Sequence, residues 1–236
     1  MGEPESRRRR PYDADVARTT ILNAAEAVFA QQGFAGARVD TIAAEAGYNK
    51  SLIFQYFGDK LRLYAAVVKR ADQHADALRA RVFPPLLENP GIVSDGHALR
   101  AFFMRAFGAV FDHLIAHPHM LRILLWEMAD GWQTYARIRS HVQPHDVTQL
   151  NVLFQEAQRA GLIRSTFVPA IQLTMALQIC ETFLANRPLF QLLVPMEELC
   201  SPAADARARD YIVGLVVAGI MVDPLSTHEP REDYPP

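Results

Sequence analysis

The chain has 236 residues, 50% of them hydrophobic and 21% charged, with a formal net charge of -2. These values fit a globular protein of one or two domains with ample core material, and they exclude a polybasic nucleic-acid coat. Cys180 and Cys200 are too few for a disulfide framework and lack metal-ligand spacing, which suits a reducing cytoplasm.

Residues 1–12 are polar and carry Arg7-Arg8-Arg9-Arg10-Pro11, an arm expected to be disordered when free. It reads either as a solubilising tail or as a strap that follows phosphates or enters a minor groove. No apolar segment follows it, so it is not a secretory signal. From Asp13 to Gln32 the apolar residues Val16, Ile21, Leu22, Ala25, Val28 and Phe29 recur at three- and four-residue steps, which predicts a helix. Asp13 or Asp15 is expected to cap it, and Gly33-Phe34 to end it.

Arg38 to Lys60 reads as two short helices joined by a tight turn. Ile42, Ala43 and Ala46 form the inner face of the first helix. Gly47 reverses the chain and Asn49 caps a second helix from about Lys50 to Phe57. Two readings stay open for the spacing alone: an ordinary helical hairpin, or a helix-turn-helix that sets its second helix in a DNA major groove.

Leu61 to Leu87 is a long helical run ended by Pro84-Pro85 and Asn89-Pro90-Gly91. His97 to Ala116 is helical, with Phe103, Phe107 and Phe111 on one face; Met120 to Ala129 is a shorter helix. Trp132 to Ala160 is helical with a kink at Pro144. Pro169 to Asn186 is helical, followed by a loop through Pro188, Pro195 and Pro202. Ala203 to Met221 is the last helix, and residues 223–236 are expected to be a disordered tail. The fold class is all-α: an arm (1–12), a three-helix head (13–60), a connecting helix with a helical bundle (61–222), and the tail. No stretch is long and apolar enough to span a bilayer, and no nucleophile elbow, phosphate loop or HExxH motif appears, so no enzymatic activity and no cofactor are expected.

The stretch from about Arg18 to Val68 resembles the TetR family of bacterial transcriptional regulators. The match rests on Ile21 to Ala25, Phe29, Gly33-Phe34, Ile42-Ala43, Ala46-Gly47, Leu52 to Phe57 and Lys60. The resemblance implies a homodimer that binds operator DNA, usually as a repressor, and leaves it when a small molecule occupies the second domain. It further implies a dimer formed by the last two helices, here about Pro169 to Asn186 and Ala203 to Met221. This chain departs from the family where Arg38 replaces the usual threonine, Lys50-Ser51-Leu52 the usual small residues, and Phe54 the frequent tyrosine. Operator sequence therefore does not carry over.

Within that frame, Lys50 and Gln55 suit base edges, lysine for guanine and glutamine for adenine. Ser51 allows close approach, Asn49 caps, Leu52 meets a thymine methyl or packs, and Phe54 keeps a ring without a hydroxyl. Arg38, Tyr56 and Lys60 hold phosphates, and Asp40 takes over the capping of the first motif helix. Phe107, Phe111, Trp126, Trp132, Phe154 and Phe183 form a candidate apolar lining, with Gln178 as a polar anchor and Glu127, Asn151 and Gln155 as others. The ligand expected from this lining is small and largely apolar or aromatic. His113, His117 and His119 carry a metal-like spacing with no cysteine to complete it. An architectural, non-specific DNA binder without a ligand response is the alternative.

Overall fold

The computed structural model describes residues 11–138, 148–166, 168–193 and 201–222. The arginine run, the Pro144 kink, the loop at Pro195, Cys200 and the tail from residue 223 lie outside the described residues. Among those described, every regular element is a helix, and the one β-pairing is an isolated bridge between Ile163 and Met221. The helices are α1 (Pro11–Gly36), α2 (Val39–Ala46), α3 (Lys50–Phe57), α4 (Lys60–Val82), α5 (Pro84–Glu88), α6 (Gly96–Ala116), α7 (Pro118–Ala129), α8 (Gln133–Ile138), α9 (Thr148–Arg159), α10 (Pro169–Leu193) and α11 (Pro202–Ile220).

The chain divides into two compact units, residues 1–76 with 117–144, and residues 77–116 with 145–236. The first is larger than the head 13–60 read from the sequence. It draws in the first part of α4, and also α7 and α8, which follow more than forty residues later in the chain, roughly half the length of a small domain.

The first unit has its own core, in which Ile21, Phe29, Ile42, Ile53, Phe57, Leu63 and Tyr64 meet Ile123 of α7 and Ile138 of α8. Val16, read as part of the apolar face of α1, is exposed. Asp13 and Asp15 fall inside α1 instead of preceding it. At Gly33 the helix kinks, with φ +66° and ψ 176°. A Cβ at that position would stand 3.0 Å from the Trp126 ring, so glycine is required both for the backbone and for the close approach of α7. The kink releases the Ala30 carbonyl from the helical ladder. Arg122 Nε and Trp126 Nε1 both donate to it, at 3.0 and 3.2 Å. Tyr64 ties α4 to α7: its ring meets Phe29 edge-on at 4.9 Å, and its hydroxyl donates to buried Glu127. Glu127 also accepts from the Tyr135 N–H at 2.9 Å. Burial and this carboxylate push the Tyr64 phenol far up, so it remains a donor.

In the second unit, α6 packs against α10 and α11. Phe103 stacks on Phe107 and on Phe154 of α9, both at 5.9 Å, while Phe111 turns to Phe183 of α10 at 6.1 Å. The α10 helix passes through Pro188 to Leu193, where a loop was expected. Proline removes one ladder bond there. Contacts on both sides offset the loss: Arg187 pairs with Asp205 at 2.9 Å, and Phe190 packs on Phe183 at 5.6 Å. Ser201 caps α11, accepting from Ala204 N–H at 3.1 Å.

Candidate DNA-binding face

The turn between α2 and α3 is a Schellman motif. Gly47 sits in the left-handed region at φ +69°, its N–H reaches Ala44 O at 3.2 Å, and Tyr48 N–H reaches Ala43 O at 3.1 Å. Asn49 then opens α3, its Oδ1 accepting from Leu52 N–H at 2.8 Å. These two local devices fix the angle between the helices, and the four-residue spacing of Ile53 and Phe57 seats α3 on the core. Lys50, Ser51, Phe54 and Gln55 are left exposed on one face, in the i, i+1, i+4, i+5 pattern of a single helix side.

Arg38 is exposed just before α2, in extended backbone, and offers its guanidinium to solvent. Asp40 does not cap α2. It instead pairs with Lys50 Nζ at 3.0 Å, and the same ammonium lies 5.9 Å from the Phe54 ring centre. Both partners of this pair are well exposed, so it is worth about 0–1 kcal/mol. Sequence reasoning missed the pair. The available signal was two opposite charges, each in the first turn of one of two helices joined by a tight turn.

Three of the expected contact residues are only partly exposed. Lys60 is half-buried: its Nζ lies 4.6 Å from the Phe34 ring and donates to Ala35 O at 3.3 Å, and burial lowers its pKa. Leu52 and Tyr56 are half-buried and packed against the core.

The ligand-lining residues do not form one group. Phe107, Phe111 and Phe154 are buried in the second unit, where Phe183 and Gln178 are half-buried. Trp126, Trp132 and Glu127 belong to the first unit. Trp126 serves the kink of α1, and Trp132, at φ +62°, forms the turn that ends α7 and meets Tyr135 edge-on at 6.0 Å. A cavity of about 270 Å³ lies beside them, lined by Gly33, Phe34, Trp126 and Asp130 among others. Among the described residues, no three His, Cys, Asp or Glu side chains converge as a metal site. His119 instead approaches Glu26 at 3.8 Å. No described helix is long and apolar enough to cross a membrane.

Comparison with known proteins agrees with this geometry. Residues 21–67 match the N-terminal domain of "Bacterial regulatory proteins, tetR family", and residues 100–216 match "Tetracyclin repressor-like, C-terminal domain". The HTH-type transcriptional repressor SCO4008 of Streptomyces coelicolor is 30% identical over 165 residues, covering 70% of this chain and 76% of that protein. The HTH-type transcriptional repressor NicS of Pseudomonas putida is 26% identical, covering 89% of this chain and 95% of its own. Among solved structures, the transcriptional regulator SCO4942 from Streptomyces coelicolor is 28% identical with a TM-score of 0.57, covering 86% of this chain and 98% of that one. The helix-turn-helix of α2 and α3, the separate helical second unit and these matches together establish that the chain belongs to the TetR family of bacterial regulators.

Proposed function

We propose that the protein is a homodimeric transcriptional repressor that binds a palindromic operator through α3 and leaves it when a small molecule occupies the second unit. The observation that carries this reading is the exposed face of α3, where Lys50, Ser51, Phe54 and Gln55 stand clear of the core on a helix pinned at both ends. Lys50 and Gln55 read base edges, Ser51 permits close approach, and Arg38 holds a phosphate. The names of the two repressor relatives support the direction of control.

Dimerisation is supported by an apolar stripe on the last two helices. Ile171, Met175 and Ile179 recur every four residues on α10 and are exposed, as are Tyr211 and Leu215 on α11. Phe107, Phe111, Phe154, Phe183 and Gln178 are the effector-site residues of the sequence reading that lie within the second unit.

Selection of bound DNA from a random library, followed by footprinting, tests the reading. The expected product is an inverted repeat whose half-sites lie about one helical turn, or a multiple of it, apart. Lys50→Ala with Gln55→Ala should abolish the preference and leave the oligomeric state unchanged. A protein that enriches no sequence, yet binds with a steep salt dependence, is an architectural binder and the reading fails.

A further inference from the structure

We propose, resting on the operator-binding reading above, that Asp40 of α2 is a specificity-determining residue that reads one G·C base pair of each half-site together with Lys50. The lysine donates to guanine O6, and the carboxylate accepts from N4 of the cytosine paired with that guanine.

Lys50 stands at the first position of α3, where the helix dipole disfavours a cation, and the first turn of α3 has no acid of its own. Asp40 supplies the negative charge from α2, whose start has no side-chain cap. Lys50 Nζ donates to Asp40 Oδ2 at 3.0 Å, and the ammonium lies 5.9 Å from the centre of the exposed Phe54 ring, within cation–π reach. The ammonium is thus held by a carboxylate and a ring on the face that meets DNA. The side chains of Asp40 and Lys50 are 71% and 47% exposed, so both are open to a ligand there. An exposed pair of this kind adds little stability. An acid on a surface that meets a polyanion also weakens general phosphate binding. Neither stability nor non-specific affinity accounts for the carboxylate, whereas base selection does.

The spacing of the pair matches an edge that DNA presents. In a G·C pair, guanine O6 and cytosine N4 share an N–H···O hydrogen bond, so they stand roughly 2.9 Å apart at the major-groove edge. A donor and an acceptor 3.0 Å apart meet that acceptor and that donor together. Guanine N7, beside O6, gives the ammonium a second acceptor. Reversal to C·G sets the amine against the ammonium and the keto oxygen against the carboxylate, so both contacts turn repulsive. T·A keeps the order of G·C, with O4 and N6, but carries a methyl group beside O4 where guanine has N7. It therefore ranks second, and A·T, reversed like C·G, ranks low. Lysine alone can swing across the pair to guanine on either strand. The carboxylate removes that freedom.

The test uses the full chain, selection from a randomised DNA library, and competition binding on the enriched inverted repeat. In each half-site the wild type should favour G·C over C·G at one position by at least about tenfold, as a good paired base contact does. Asp40→Ala should bring that ratio within about threefold, raise affinity for random-sequence DNA, and keep the helical content and the preferences at other positions. Lys50→Ala should alter the same position, and adding Asp40→Ala to it should change that position no further, since the two residues act as a unit. The proposal is overturned if Asp40→Ala leaves the G·C preference intact, or if the two substitutions alter different positions. Either result leaves the operator-binding reading standing, because an inverted repeat is still enriched. A wild type that enriches no sequence removes that reading and the proposal with it.

Discussion

At the scale of single residues, two buried glutamates behave in opposite ways. Glu127 is a bolt: Tyr64→Phe removes its phenolic donor and should cost about 1–3 kcal/mol, read by urea unfolding, since a buried acceptor loses a partner. Glu181 is 2% exposed, and desolvation acts on its carboxyl. Burial raises its folded-state pKa above the ordinary 4.5, so the folded chain holds the proton to higher pH than the unfolded chain. Its relative contribution is complete below about pH 4.5 and is lost as pH rises through the raised value. Glu181→Gln has no such loss, so its Tm should exceed that of the wild type by a margin that widens as pH rises from 4.5. A constant margin across pH would contradict this. Residue-level roles were the least legible part of the sequence. Lys60 and Trp126 are chemically suited to phosphate and ligand. What sequence spacing does not carry is that Phe34 and Ala35 claim the first, and the Gly33 kink the second.

At the scale of elements, the helix-turn-helix was legible because its determinants are local: Gly47, Asn49, Ile53 and Phe57 act within one or two turns. Two glycine substitutions separate local strain from packing. Gly47→Ala meets nothing within 4 Å and pays for the left-handed backbone alone, about 1 kcal/mol by thermal unfolding. Gly33→Ala adds a clash with Trp126 to a similar backbone strain and should cost more, about 2–4 kcal/mol. Equal losses would mean that α7 yields easily. Lys60 and Arg38 divide in the same way. Arg38→Ala should lower the salt slope of DNA binding by about 0.9, one phosphate contact, whereas Lys60→Ala should lower stability and leave the slope unchanged. The continuation of α10 past Pro188 was illegible for the opposite reason, since the contacts that hold it, Arg187 to Asp205 and Phe190 to Phe183, include a partner on another helix.

At the scale of the molecule, the all-α class and a two-unit division followed from periodicity, but the membership of the first unit did not. Sequence proximity assigned α7 to the second domain, while Ile123, Trp126 and Glu127 pack on α1 and α4. The exposed stripe on α10 and α11 sets the remaining prediction. Met175→Asp with Ile179→Asp should give a monomer by sedimentation and reduce operator affinity at least tenfold, with helical content retained; a stable dimer would move the interface elsewhere. The Ala30 carbonyl carries a further consequence, one of timing. Its two donors lie on α7, so the DNA-reading unit is incomplete when α4 has been synthesised. On a ribosome adding about 5–20 residues per second, the nascent head waits several seconds for Arg122 and Trp126 to emerge, its Phe29 and Tyr64 side of the core uncovered meanwhile. Folding of the DNA-reading unit is thereby deferred until α6, a helix of the other unit, has already been made.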